Sequence, residues 1–167
     1  MGLDMYLSAE VFIGGSYHKI EPEKIEVSSR FKETNDQSPE QWEPYPTEDI
    51  DSITYQVGYW RKANQIHGWF VDNVQHGEDD CRYHDVSEEQ LEKLQSICVE
   101  LLQSRDKEKA LELLPVRKGF FFGRYNPKED GFWEDYWYDL ETTVKAVTKA
   151  LEYISRFRAD IKYRSSW

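Results

Sequence analysis

Alternating apolar and polar positions mark the strands of this chain. From Leu3 to Ile13 every second residue is apolar until Gly14, which predicts a half-buried strand. Residues 53–59 repeat the pattern and predict a second well-defined strand, while residues 17–31 show a weaker version around Ile25 and Val27. Residues 157–163 alternate again, which predicts a final strand able to pair with the first.

Apolar residues at helical spacing predict the other elements. Residues 58–74 are expected to form an amphipathic helix entered directly from the strand before it. Ser87 and Gln90 form a capping box that opens a second helix, with apolar residues from Leu91 to Leu102 on its buried face. A short helical piece is predicted at 107–114 and a long last helix at 132–156.

The order of these elements predicts the fold class. Strands at both ends and in the middle, with helices between them and no βαβ rhythm, predict an α+β fold. We expect one domain over residues 1–167, with a small, mostly antiparallel sheet packed by two to three helices. Residues 32–51 are acidic and rich in proline, which predicts a surface loop excursion.

Composition excludes several classes of function. The net charge of −11 argues against direct nucleic-acid binding, because phosphates need Lys and Arg to replace their counterions. No apolar run approaches the ~20 residues that span a bilayer, and the start of the chain does not resemble a signal peptide. Cys81 and Cys98 suit a reduced, cytoplasmic protein. No cofactor motif is present, so no cofactor is predicted; a homo-oligomer stays open.

The helix predicted at 58–74 carries the best candidate site for a ligand. At 100° per residue, Asn64 and His67 lie on or near its buried side, where both need partners, whereas Arg61, Lys62 and Gln65 point elsewhere. Trp69 falls on the side facing away from the core, so another element of the chain, a ligand or a protein partner must pack against it there. A helix N-terminus with nearby cations and aromatic rings suits an anionic, nucleotide-like ligand. The predicted ligand-binding residues are Trp60, Arg61, Lys62, Asn64, His67, Trp69 and Arg124.

A purely structural role for this stretch is left open. In that interpretation, Asn64 and His67 hydrogen-bond to neighbouring strands, and Arg61 and Lys62 pair with surface carboxylates. The sequence holds no catalytic signature, so it favours binding over catalysis.

The approach to the last helix is acidic and aromatic, which suggests a different function. Asp130 is placed to cap the helix, and early carboxylates suit its dipole. The remaining carboxylates could bind a basic host protein, such as a nuclease or regulator, by imitating DNA phosphates. The residues predicted for this alternative are Glu129, Asp130, Glu134, Asp135 and Asp139.

The loop from His76 to His84 offers a third reading, a metal-assisted hydrolase. Its possible ligands are His76, Asp80, Cys81 and His84. Their spacing matches no strong metal-binding template, so a solvated acidic loop is the favoured interpretation and no metal is predicted.

Four stretches carry a resemblance to a known group of proteins. They are MGLDMYL at residues 1–7, GYWRKANQIHGWFV at 58–71, DDC at 79–81 and GFFFG at 119–123. Together they resemble a family of small uncharacterised bacteriophage and prophage proteins. The resemblance implies an accessory protein made in the cytoplasm of an infected bacterium, where it would bind a host factor or blunt an antiviral defence.

Overall fold

A computed structural model describes residues 2–12, 52–119, 122–124 and 126–167. Within these ranges the chain forms four strands and four helices. The strands are β1 (Asp4–Phe12), β2 (Ser52–Arg61), β3 (His84–Asp85) and β4 (Asp160–Ser166). The helices are α1 (Asn64–Asn73), α2 (Glu88–Ser104), α3 (Lys107–Leu113) and α4 (Phe132–Phe157). The strand predicted at 17–31 and the loop at 32–51 lie outside the described residues.

The four strands form one antiparallel sheet in the order β2-β1-β4-β3. The first and last strands pair at its centre, as predicted, with Leu7 opposite Tyr163. Alternation buries Met5, Leu7 and Ala9 on the face that meets the core. The α+β class is confirmed, with four helices packed with the sheet where the pattern predicted two or three.

Local signals account for most of the helix boundaries. At α2, Gln90 N–H donates to the Ser87 hydroxyl and the Gln90 side chain accepts from Ser87 N–H, so the predicted capping box is present. Asp106 caps α3 through two backbone amides. Gly58 lets α4 approach β2, because a Cβ there would lie 2.8 Å from Cβ of Ala146.

Two boundary predictions are wrong. The strand β2 continues through Arg61, so α1 begins at Asn64 and the first residues of the predicted helix are extended. Asp130 does not cap α4; Gly131 is the N-cap, without a side-chain hydrogen bond. Gly131 has a φ of 76°, which places the chain in a left-handed turn just before α4 starts.

The described residues also bear on the two cysteines and on the expected lack of a membrane-spanning segment. Cys98 is fully buried, and Cys81 is exposed, with both thiols free. Among the described residues, no helix is long and apolar enough to cross a membrane.

Candidate functional site

A cleft of about 760 Å³ opens where β2 ends, a size typical of small-molecule sites. Residues 59–62 of β2 and the following turn form one side, and the first three turns of α4 form the other. Gln65 of α1 and residues 123–124 complete the lining. Of the predicted ligand-binding residues, the cleft brings together Trp60, Arg61, Lys62 and Arg124.

Three cationic side chains lie in this lining. Arg61 and Lys62 are exposed, and no carboxylate of the described residues lies within salt-bridge distance of either. Arg124 is tied more firmly, since its Nη1 donates to the Asp130 carbonyl at 2.8 Å and lies 3.4 Å from Asp135 Oδ2. Arg61 and Lys62 therefore add positive charge to the lining of this cleft in an otherwise acidic protein.

The backbone at Lys62 is strained. Its φ of 62° lies in the left-handed region, which costs a residue with a Cβ about 1–2 kcal/mol. Lys62 N–H donates to Leu3 O at 2.8 Å, and Lys62 O accepts from Asn64 N–H at 2.9 Å across Ala63. Gly123 packs against this turn, since a Cβ there would meet the Lys62 Cβ at 2.8 Å. The chain therefore holds a lysine at the cleft in a conformation that glycine would adopt at lower cost.

We expect Lys62→Gly to raise the free energy of unfolding by about 0.5–1 kcal/mol, because relief of strain exceeds the entropy that glycine loses on folding. Urea unfolding would measure the change. Arg158→Gly is the matched variant outside the cleft lining. Arg158 also has a left-handed φ, 53°, so glycine relieves the same kind of strain there without changing the cleft. A loss of stability in Lys62→Gly would contradict the strain argument.

A carboxyl group with unusual protonation faces the same space. Asp139 is partly buried, and its Oδ2 accepts from Nε2 of Gln65 at 2.9 Å. Burial raises the pKa of Asp139 to about 7; the Gln65 hydrogen bond opposes this shift, and the neighbouring Asp135 adds to it. Near neutral pH this carboxyl therefore exchanges between its charged and neutral forms, which is a property common in functional sites.

The aromatic lining divides into exposed rings and buried ones. Tyr59 and Tyr138 line the cleft and are 43% and 68% exposed, and the Tyr59 ring also packs on Tyr6 at 5.5 Å between ring centroids. Tyr59 is oriented by its hydroxyl, which donates to Asp4 Oδ1 at 2.6 Å. Trp60 is only 2% exposed, and its Nε1 donates to Thr143 Oγ1 of α4 at 2.9 Å. Trp60 is thus a wall of the cleft, and the tyrosines are the candidates for stacking.

Asn64 and His67 are buried, as predicted, but neither lines the cleft. Asn64 Nδ2 donates to Phe122 O at 3.0 Å and Arg124 O at 2.8 Å, and its Oδ1 accepts from Arg117 N–H at 3.1 Å. Asn64 therefore fixes the backbone from which Arg124 reaches the cleft. Its partners belong to the segment after α3 and not to a strand.

His67 joins α1 to β4. Its Nδ1 lies 2.7 Å from Tyr163 Oη, and its Nε2 lies 3.1 Å from Asp79 Oδ2. Burial raises the pKa of Tyr163 and lowers that of His67, so the tyrosine donates to a neutral imidazole and Nε2–H donates to Asp79. This buried network matches the alternative left open by the sequence, in which His67 has a structural role and hydrogen-bonds to a neighbouring strand.

Two orientations predicted from the helical wheel are wrong. Trp69 is only 6% exposed and packs edge-to-face on Phe70 at 5.3 Å between ring centroids. Gln65 was expected to point away from the core and is 3% exposed, donating to Asp139. Every residue from Asn64 to Val71 is buried, so α1 has no solvent face along this length.

The structure divides the predicted acidic surface. Glu129, Asp130 and Glu134 are exposed, while Asp135 and Asp139 line the cleft. The aromatic neighbours of this surface also have partners: Lys107 Nζ lies 5.1 Å from the centre of the Trp133 ring, and Arg105 Cζ the same distance from Trp137.

The proposed metal loop has internal partners. Asp80 pairs with His84 Nε2 at 2.8 Å and accepts from Arg82 N–H at 2.9 Å and Arg82 Nε at 2.7 Å, and these contacts lower its pKa. Cys81 and His76 are exposed. Across the described parts of the chain, no group of three or more His, Cys, Asp or Glu residues is placed to hold a metal ion.

The sequence did not connect the α4 side of the cleft with the ligand site: Asp135 and Asp139 were predicted on a separate acidic surface, and Tyr138 and Thr142 were not predicted as site residues. Asp135, Tyr138, Asp139 and Thr142 follow helical spacing of three and four residues and so share one face of α4. That polar stripe is visible in the sequence. What the sequence does not show is that the end of β2 lies opposite it.

Comparison with protein-family models, curated proteins and solved structures gave no match to this chain.

Proposed function

We propose that this protein binds a small anionic ligand with a planar ring, of the nucleotide type, in the cleft between the end of β2 and α4. The observation that carries the proposal is the pair Arg61 and Lys62, exposed at the cleft without a carboxylate partner among the described residues. An anion there would gain charge-assisted hydrogen bonds, which are about twice as strong as neutral ones.

The surroundings of these cations favour the same ligand class. The helix α1 begins beside them, with no side-chain cap at Ala63 and no acidic residue in its first turn. Its partial positive charge therefore adds to that of the side chains. Tyr59 and Tyr138 offer exposed ring surface for a base, so an anionic group and a planar group both have complementary surfaces.

The biological setting remains a proposal that depends on the resemblance to phage proteins. A phage accessory protein with such a cleft would capture a nucleotide in the host cytoplasm, including one used as a defence signal. Capture needs no catalysis, so we propose a binding protein and not an enzyme.

Calorimetric titration with nucleoside mono-, di- and cyclic phosphates tests this function. We expect Arg61→Gln/Lys62→Gln to weaken binding by about 10- to 100-fold, because two charge-assisted contacts to the anion are lost. The control Lys128→Gln/Lys145→Gln removes the same net charge from exposed positions outside the cleft lining and should bind like wild type.

Two results would reject the proposal. One is a wild-type protein that binds none of these nucleotides. The other is equal loss of affinity in the cleft variant and its charge-matched control, which would indicate a long-range effect of net charge. Lys62→Gly adds a further check, since it should gain stability while losing affinity, whereas Arg158→Gly should keep its affinity.

A further inference from the structure

We infer that Asp139 selects the base of the bound nucleotide, and that the cleft prefers guanine because guanine alone among the common bases presents two adjacent N–H donors to a carboxylate. The inference depends on the proposed function, since it names the ligand class for the same cleft.

Asp139 lies on the α4 side of the cleft. It lies in the α4 stripe with Tyr138, whose exposed ring is a stacking surface for a base. Arg61 and Lys62 form the opposite side of the cleft, where the anionic group is proposed to bind. A ligand spanning the cleft would therefore place its base beside α4.

The carboxyl group of Asp139 has a fixed orientation. Gln65 is 3% exposed, and its Nε2 donates to Asp139 Oδ2, so a buried amide holds the side chain in place. Recognition by hydrogen bonds depends on this kind of preorganised acceptor.

The hydrogen-bond donors of guanine match the acceptors of the Asp139 carboxylate. An ionised carboxylate only accepts hydrogen bonds. The pairing edge of guanine offers a ring N–H beside an amino group. Adenine and cytosine place a ring acceptor beside their amino group, and a carboxylate would repel it. Hypoxanthine keeps the ring N–H but lacks the amino group, so it measures the second donor.

Protonation gives the inference a second, independent signature. The pKa of Asp139 is about 7 in the free protein, and donors that favour the charged form would lower it on binding. The charged groups around it are Asp135 on α4, Arg124 paired with Asp135, and Arg61 and Lys62 across the cleft. Binding should therefore release more protons with guanosine monophosphate than with ribose 5-phosphate, whose phosphate titrates in the same way near pH ~6. The ratio of the two affinities should favour guanosine monophosphate more strongly at pH 8 than at pH 6.

The experiment is a titration with guanosine, inosine and adenosine 5′-monophosphates and with ribose 5-phosphate. Wild type should bind guanosine monophosphate about 10-fold or more tightly than inosine monophosphate. Asp139→Asn should lose this preference, whereas its affinity for ribose 5-phosphate should not fall, because the substitution removes a negative charge from the anion site. The control Glu134→Gln removes an exposed carboxylate of the same helix that does not line the cleft, and should keep the preference.

The outcomes separate the two proposals. If no nucleotide and no ribose 5-phosphate binds, the proposed function itself fails. If the nucleotides bind with equal affinity, or if Asp139→Asn keeps the guanine preference and its pH dependence, the cleft is an anion site without base selection and the inference about Asp139 is wrong.

Discussion

Replacing His67 with alanine is expected to lower the free energy of unfolding by about 3–5 kcal/mol. His67 is fully buried, and each ring nitrogen has a partner, Tyr163 and Asp79. Alanine would leave a cavity beside Phe122 and Tyr163, whose ring centroids lie 5.1 Å and 6.4 Å from that of His67, and would leave the buried tyrosine hydroxyl without its acceptor. Urea unfolding followed by circular dichroism would measure the loss.

His84 provides the control for this substitution. It also pairs with an aspartate, Asp80 at 2.8 Å, but both side chains are partly exposed to solvent. His84→Ala should therefore cost less than about 1 kcal/mol. Similar losses in the two variants would show that the buried network does not contribute as argued.

His67 also predicts how stability changes with pH. Its pKa is lowered by burial, so below pH ~6.5 the unfolded chain binds more protons and stability falls on acidification. Asp139 acts in the opposite sense. Its folded pKa of about 7 exceeds the ordinary value of 3.8, so the native state binds more protons in between, and this contribution is lost as pH rises towards 7.

The two effects oppose each other between pH ~4 and ~6.5, and Asp139→Asn should separate them. At pH 8 this variant should be more stable than wild type by about 1–2 kcal/mol, less than a fully dry carboxyl would give because Asp139 is partly exposed. The difference should be smaller at pH 5 and should vanish only near pH ~4, where Asp139 is neutral in both the folded and the unfolded chain. Equal stability at both pH values would show that its pKa is not raised.

The sequence predicted elements better than their junctions. Alternation and apolar spacing located β1, β4, α2 and α4, because each buries one face against the core. At residues 58–63 the same apolar positions fit both a strand and a helix. The choice is made by Lys62, whose left-handed backbone ends β2, and by its contact with Gly123, which is distant in sequence.

Packing from several sides explains the errors in α1. A helical wheel assumes one solvent-facing side, and α1 has none from Asn64 to Val71. Arg117 illustrates the cause, since it lies across the helix at Gly68, where a Cβ would be 2.6 Å from its Nε, and pairs with Asp72. Such a cover comes from residues that are far apart in sequence, and no local pattern reveals it.

The candidate site was predicted only in part for the same reason. Arg61, Lys62 and Arg124 were identified from charge and position, and the structure places them together. Asp135 and Asp139 were assigned to a separate acidic surface, because composition shows a cluster of charges but not which of them faces a cleft. The ligand-binding hypothesis and the acidic-surface hypothesis therefore involve residues that line the same cleft.

Replacing Asn64 with alanine is expected to lower the free energy of unfolding by about 2–4 kcal/mol and to weaken nucleotide binding, although Asn64 does not line the cleft. Its three hydrogen bonds hold Arg117, Phe122 and Arg124. Without them, buried backbone groups lose their partners and Arg124 loses its fixed position. Amide hydrogen exchange should become faster at residues 117 and 122–124, while α2 keeps its protection.

Two further variants test whether hydrogen bonding at Asn64 is the cause. Asn64→Asp keeps an acceptor for Arg117 N–H but sets a carboxylate against the carbonyls of Phe122 and Arg124, so it should cost at least as much as alanine. Asn73→Ala removes an asparagine of the same helix whose side chain donates to Trp69 O and is only partly buried, and should cost about 1 kcal/mol or less. If Asn64→Asp were as stable as wild type, the carbonyls of Phe122 and Arg124 would not need the donors that Asn64 supplies, and the link between α1 and the position of Arg124 would be rejected.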